Sequence, residues 1–311
     1  MRCFSICAGL LSIICLVASK VVSPIEFALS SEKESLLSIH SPFTISPMMD
    51  TALTLNRLSY CSIQEIKAFR CEDCSAFQFI QAVQPEHPDA TQMVMVMDAL
   101  TNNIYISYRG TIQSKEQWWS NIDTAYTNVS CHDCFVHHGF YQRFNDIIQP
   151  TLEGLSIVNT TNQSIYITGH SSGGAVATLV AFELAKRFHP LYLFTFGSPR
   201  VGNKAFIDHL DQEMGERMYR IINEWDAIPT VPYESQGFFH AGQLVLCKTG
   251  TFECEQGERN EENRGGLSYD FIRTMKTVKN SQWTHLTYLE KGIGTGRYEC
   301  IKNNTVHTMK I

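Results

Sequence analysis

In Gly169-His170-Ser171-Ser172-Gly173 a serine sits two residues from a glycine on either side. That is the spacing a nucleophilic hydroxyl needs on a sharp turn, where the serine backbone is strained and its flanks crowd together. Residues 164–168 read as a strand, and the Ala-rich run 172–187, with Gly174 and Ala175 near its start, reads as a helix. The motif therefore falls where a strand ends and a helix begins. A helix starting there aims free N–H groups and a positive dipole end at an oxyanion forming beside the serine. The five-residue pattern alone arises often by chance. Its flanks make Ser171 the expected nucleophile, against a structural Gly-rich turn as the alternative.

A serine hydroxyl is a weak nucleophile at neutral pH and needs a base, which in turn needs an orienting acid. At a strand-to-helix elbow the partners follow in the order serine, acid, histidine. Asp226 comes just after a strand expected at 219–223 and before Ala227-Ile228-Pro229. Catalytic groups gather at the ends of parallel strands, which favours it. Glu224 is the rival, and a solvated surface role is the alternative for either. Beyond Asp226 stand His240, His285 and His307. His240 lies in Phe238-Phe239-His240-Ala241, a core or turn setting, and His307 lies beyond the last cysteine, in an expected tail. His285 is the expected base.

These residues need a rigid frame, and the pattern supplies one. A helix is expected over 46–59, a hairpin from runs at 93–97 and 104–108 joined by Thr101-Asn102-Asn103, and a helix over 139–155. Then come a strand at 164–168, a helix at 172–187, a strand at 191–196, a helix at 204–214 and the strand at 219–223. Alternating strands and helices imply right-handed crossovers and a largely parallel sheet.

The chain has 311 residues, 44% of them hydrophobic, and a formal charge of -6. That apolar share excludes intrinsic disorder, and the acidic balance argues against a nucleic-acid partner. Residues 1–19 carry Arg2, an apolar run and then Ala18 and Ser19, a secretory signal pattern. The Ser-rich 20–45 stretch reads as an N-terminal arm or propeptide, and 46–311 as a single domain. Of 11 cysteines, those past the signal are Cys61, Cys71, Cys74, Cys131, Cys134, Cys247, Cys254 and Cys300. An even set in an exported chain reads as disulfides. Spacing suggests Cys71–Cys74, Cys131–Cys134 and Cys247–Cys254, leaving Cys61–Cys300 to join the ends. The alternative, a zinc site from the two C-x-x-C pairs, is disfavoured by their wide separation, and no metal is expected. Asn128, Asn159, Asn162 and Asn303 begin glycosylation sequons.

Taken together these motifs resemble the class 3 (fungal-type) lipase family of α/β-hydrolases. The likeness spans about residue 50 to 301 and includes Tyr108-Arg109-Gly110-Thr111, Val136-His137-His138-Gly139-Phe140, Gly169 to Ala175, Thr195-Phe196-Gly197-Ser198-Pro199-Arg200-Val201-Gly202-Asn203, Asp226 to Pro232 and His285-Leu286. The resemblance implies an α/β-hydrolase fold: a predominantly parallel central sheet, helices on both faces and a short lid helix. It implies the triad Ser171, Asp226 and His285, and an oxyanion hole from Thr111, through N–H and hydroxyl, and from the N–H of Ser172. Family members often carry Leu at the latter position. It places a lid at 112–123, with Trp118 and its neighbour Trp119 suited to meeting lipid. The spacing-based cysteine pairing is similar to that of secreted members.

The implied activity is that of a secreted serine carboxylester hydrolase, first of all a triacylglycerol lipase, needing no cofactor. Its expected partner is lipid ester at an oil–water interface, touched transiently through the lid by a monomer. Feruloyl esterase and phospholipase A1 activities are alternatives on the same core. A non-catalytic lipid-binding protein and a serine peptidase are remoter ones. Export is expected to end outside the cell or in a digestive vacuole.

Overall fold

The runs Ile165–His170 and Leu191–Phe196 are apolar on both faces rather than alternating, the pattern of strands covered by helices on either side. A computed structural model describes residues 41–43, 46–69, 71–86, 91–111, 125–224, 226–248, 251, 253–257, 284–293, 300–302 and 305–307. Along the chain its strands are β1 (Ser41–Phe43), β2 (Phe77–Val83), β3 (Met93–Asp98), β4 (Ile104–Tyr108), β5 (Tyr126–Asn128), β6 (Phe135–His137), β7 (Ile165–His170), β8 (Leu191–Phe196), β9 (Met218–Asn223), β10 (Gln243–Cys247) and β11 (Cys254–Gln256). Strands β5 and β6 pair with each other. Among the described residues the other nine form one sheet in the order β1-β11-β10-β9-β8-β7-β4-β3-β2. The five central strands β4, β7, β8, β9 and β10 run parallel. The two edges are antiparallel, and the expected hairpin appears with Met93 opposite Tyr108.

The helices are α1 (Pro47–Leu58), α2 (Ile63–Ala68), α3 (His138–Ser156), α4 (Ser172–Leu184) and α5 (Lys204–Met214). Their starts follow from local chemistry. Ser46 Oγ accepts from Met49 N–H with Pro47 at the first helical position, Ser62 and Glu65 form a capping box, and Asn203 caps α5 through Phe206 N–H. The helix expected over 172–187 ends at Leu184.

Strand alternation sends Ile104, Ile106, Ile165 and Ile167 to one face of the sheet, where they pack with Phe140, Ile147, Ala175 and Val176 of α3 and α4. Tyr105, Tyr166, Phe194 and Phe196 go to the other face, against Met49, Leu53 and Leu55 of α1. Each fully buried side chain of this size contributes about 1.5–3 kcal/mol. The two packed faces hold the strand ends rigid, and rigid strand ends are what the site requires.

Two segments are more ordered than their composition suggests. Within the stretch expected as a loose arm, β1 pairs with β11, which would otherwise present an open sheet edge. After the small hairpin β12 (Thr287–Tyr288) and β13 (Lys291–Gly292), the expected tail folds into a hairpin of β14 (Cys300–Lys302) and β15 (Thr305–His307), with Cys300 opposite His307.

Cys71–Cys74, Cys131–Cys134 and Cys247–Cys254 are disulfides. Both C-x-x-C pairs are thus closed on themselves, which leaves no thiolates for zinc. Cys61 is also disulfide-bonded; the side chain of Cys300, its expected partner, lies outside the described residues, although β14 lies against α2. Asn128, Asn159 and Asn162 are exposed. The expected signal segment 1–19, residues 20–40, 44 and 45 of the expected arm, Trp118 and Trp119 of the expected lid, and Asn303 fall outside the described residues.

Candidate active site

The parallel strands β4, β7, β8 and β9 all point their C-terminal ends to one edge of the sheet, where open α/β sheets place their ligands. Ser171 stands at the junction of β7 and α4 with φ 57° and ψ -133°. A positive φ is costly for a residue with a Cβ, of order 1–3 kcal/mol, and such strain concentrates at functional positions. The surroundings enforce it. A Cβ on Gly169 would lie 2.2 Å from Gly173 O, and one on Gly173 would lie 2.1 Å from Tyr108 O. Only glycine at both places lets α4 begin this close to β7 and β4. Ser171 N–H donates to Phe196 O at 2.9 Å, which anchors the elbow to β8.

Asp226, three residues past β9, is fully buried. Its Oδ2 accepts from His285 Nδ1 at 2.8 Å and from the Tyr288 hydroxyl at 2.5 Å, and its Oδ1 accepts from Ile228 N–H at 2.9 Å. Burial alone would push this carboxyl up. The charge of His285 and the hydrogen bonds from His285, Tyr288 and Ile228 outweigh burial and hold it below the usual carboxylate range. A carboxylate facing Nδ1 fixes the proton there, so the lone pair of His285 lies on Nε2, as a base requires. Glu224 instead follows β9 directly and ties to β10 through its N–H to Cys247 O. Among the described residues no hydrogen bond joins the Ser171 hydroxyl to His285 Nε2. Such contacts are commonly long without substrate.

His285 is pinned from two strands. Asn223, the last residue of β9, donates to the carbonyls of Thr284, at 2.7 Å, and of Thr287. His170, the last of β7, bonds His285 O through Nε2 at 2.7 Å, and its Nδ1 meets the Tyr60 hydroxyl at 2.7 Å. A carbonyl can only accept, so Nε2 carries the proton and Nδ1 accepts from Tyr60. Burial and then the nearby charge of His285 push His170 down to about 3, so it stays neutral. His240 is buried, with Nε2 bonded to Pro229 O, in keeping with a core role. His307 lies in β15.

The oxyanion residues expected from the resemblance also meet. Ser172 is the first residue of α4, so its N–H has no helical partner. Thr111 lies just past β4, and its hydroxyl contacts Ser172 Oγ at 2.9 Å. Its N–H, expected to face the substrate, donates to Ser172 Oγ at 3.0 Å. Sequence reasoning missed Tyr288, Tyr60 and Arg143, the last donating to both Thr111 Oγ1 and Ser172 Oγ. Only Tyr288 carried a local hint, three residues beyond the expected base.

Residues 105–236 match the family model described as "Lipase (class 3)". The chain is 30% identical over 259 residues to the protein called "Lipase" of Rhizomucor miehei, covering 78% of this chain and 68% of that one. It is 34% identical over 148 residues to "Secreted mono- and diacylglycerol lipase 1" of Fusarium solani, covering 46% of this chain and spanning 43% of that protein's length. The structure of Rhizomucor miehei triacylglyceride lipase superposes with a TM-score of 0.68 at 23% identity, over 82% of this chain and 98% of that one. At that identity the structural likeness is one of fold, and it identifies the α/β-hydrolase architecture.

Proposed function

Because the chain belongs to the class 3 lipase family, we propose that it is a secreted serine carboxylester hydrolase that releases fatty acids from triacylglycerols. The observation that carries this reading is the buried Asp226–His285 pair at the strand edge where the strained Ser171 sits. Ser171 Oγ attacks the ester carbonyl while His285 Nε2 takes its proton. Asp226 keeps the imidazole oriented and stabilises its charged form. The tetrahedral oxyanion is held by Ser172 N–H and by Thr111. Collapse expels the glyceride alcohol, which receives the proton from His285, and leaves an acyl-enzyme on Ser171. Water activated by His285 then attacks the acyl carbonyl, and fatty acid departs. Besides the ester and water, the steps described use side chains and backbone of this chain.

The enzyme acts as a monomer at an oil–water interface, with Trp118 and Trp119 in a lid that meets the lipid. Rates of fatty-acid release from tributyrin, followed across its solubility limit with Ser171→Ala as control, test this. A jump when droplets form supports interfacial lipolysis. A smooth saturating curve refutes the lid and favours soluble esters. Release of nothing, or equal release by Ser171→Ala, refutes the activity itself. Partial glycerides are a second reading, supported by the name of the Fusarium relative; diacylglycerol outrunning triacylglycerol in the same assay selects it.

A further inference from the structure

Arg143 lies on α3, half-buried, and no step above uses it. Its Nη1 donates to Thr111 Oγ1 at 2.8 Å and to Ser172 Oγ at 3.0 Å. The proton inventory of this cluster is closed. A hydroxyl has one hydrogen and two lone pairs, and a guanidinium only donates. Ser172 Oγ accepts from Thr111 N–H and from Arg143, so both its lone pairs are taken. In its 2.9 Å contact with Thr111 Oγ1, Ser172 must therefore be the donor. Thr111 Oγ1 then accepts twice, from Arg143 and from Ser172, and its own hydrogen is the one left over. The Thr111 amide is engaged with Ser172 Oγ, so the hydroxyl is the donor that Thr111 can present to substrate.

We propose that Arg143 is a positioning residue of the oxyanion hole. By donating to both hydroxyls it forces the Thr111 O–H outward as a donor and sets a guanidinium one hydroxyl away from the developing negative oxygen. The Ser172 side chain is the second arm of the device: a leucine there would have no oxygen to accept from Arg143 or from the Thr111 amide. The assignment rests on the proposed Ser171 chemistry. It adds charge-assisted polarisation to a hole otherwise made of neutral donors, and charge-assisted hydrogen bonds are roughly twice as strong as neutral ones.

The test compares wild type, Arg143→Met, Arg143→Lys, Ser172→Ala and the Arg143→Met/Ser172→Ala double variant. The substrate is dissolved p-nitrophenyl butyrate, for kcat and KM separately. A trifluoromethyl ketone that mimics the tetrahedral intermediate gives Ki. Losing a direct oxyanion donor costs about 10²–10³ in kcat. Arg143 acts through other donors, so Arg143→Met should lower kcat about tenfold, leave KM unchanged and raise Ki in proportion. Arg143→Lys should recover part of the loss, keeping charge but not the paired donation. Ser172→Ala keeps its N–H yet should also lose kcat, and adding Arg143→Met to it should cost less than in wild type. Should Arg143→Met fail to fold, Ser172→Ala decides alone. An active wild type whose folded variants keep kcat and Ki overturns the Arg143 assignment only, and so does a change confined to KM. A wild type that hydrolyses no ester and takes no phosphonate at Ser171 overturns both proposals.

Discussion

Replacing Tyr288 by Phe removes one atom from the most buried part of the site. The phenol is fully buried and donates to Asp226 Oδ2 at 2.5 Å, on the same oxygen that accepts from His285. Its ring packs edge-on to Phe196 at 5.8 Å and to His170 at 6.0 Å, contacts a phenyl ring retains. The loss is therefore electrostatic. A hydrogen bond to a charged group contributes about 1.5–3 kcal/mol, so Tyr288→Phe should be about 2 kcal/mol less stable at neutral pH. The Asp226 carboxyl is held below its unfolded-state value, so its stabilisation is complete above about pH 4 and lost as pH falls through the folded value. The variant keeps less of that depression. Its deficit should be widest at neutral pH and close as pH drops below about 4. With Asp226 held less firmly, kcat should fall roughly tenfold, the equivalent of about 1.4 kcal/mol. Urea unfolding of both proteins across this range, with ester turnover at neutral pH, measures all three. A deficit that is absent, or that persists unchanged into acid, would rule out this role of the Tyr288 hydroxyl.

Three further outcomes are expected. Gly173→Ala should abolish soluble, active protein, because its Cβ meets the Tyr108 carbonyl at 2.1 Å and backbone must move; a circular-dichroism melt matching wild type would contradict this. Replacing Cys247 and Cys254 together by serine opens a bridge with a sequence separation of 7 and should lower unfolding free energy by about 2.4 kcal/mol in the chain-entropy model, read from urea midpoints. His170, held neutral down to about 3 by burial and by the charge of His285, titrates near 6.5 once unfolded. The unfolded chain binds the extra proton between those values. Stability should thus decrease as pH is lowered from about 6.5 towards 3, by up to about 1.4 kcal/mol per unit. A flat profile there would show that His170 already takes up its proton in the folded state.

The parallel core and the residues proposed as the triad were legible because local chemistry encodes them. Apolar runs such as 191–196 announce doubly covered strands, and Ser46 and Asn203 announce helix starts. Gly169 and Gly173 mark a turn that tolerates no side chain on either flank. Asp226, placed between a strand and Ala227-Ile228-Pro229, was preferred to Glu224, and it is the one that meets His285. What stayed hidden depends on approach across the fold. Arg143 sits between Phe140 and Phe144, which periodicity marks as the buried face, and so reads as a solvated helix position. Only the packing of α3 beside α4 brings it to Thr111 and Ser172, which precede it by 32 positions and follow it by 29. Tyr60 reaches His170 over a separation of 110. The edge strand β1 and its neighbour β11 are three residues each, too short to show a period, and exist because each completes its neighbour's hydrogen bonds.

The proposed activation of Ser171 by His285 and Asp226 underlies every step of the hydrolysis. Its most direct test is labelling with a p-nitrophenyl alkylphosphonate, followed by mass mapping of the adduct and timing of its formation. One adduct per chain is expected, on the peptide carrying Ser171. No adduct should form in Ser171→Ala, and its formation should slow by orders of magnitude in His285→Ala. An adduct on any other serine, or a His285→Ala protein that labels as fast as wild type, would contradict it.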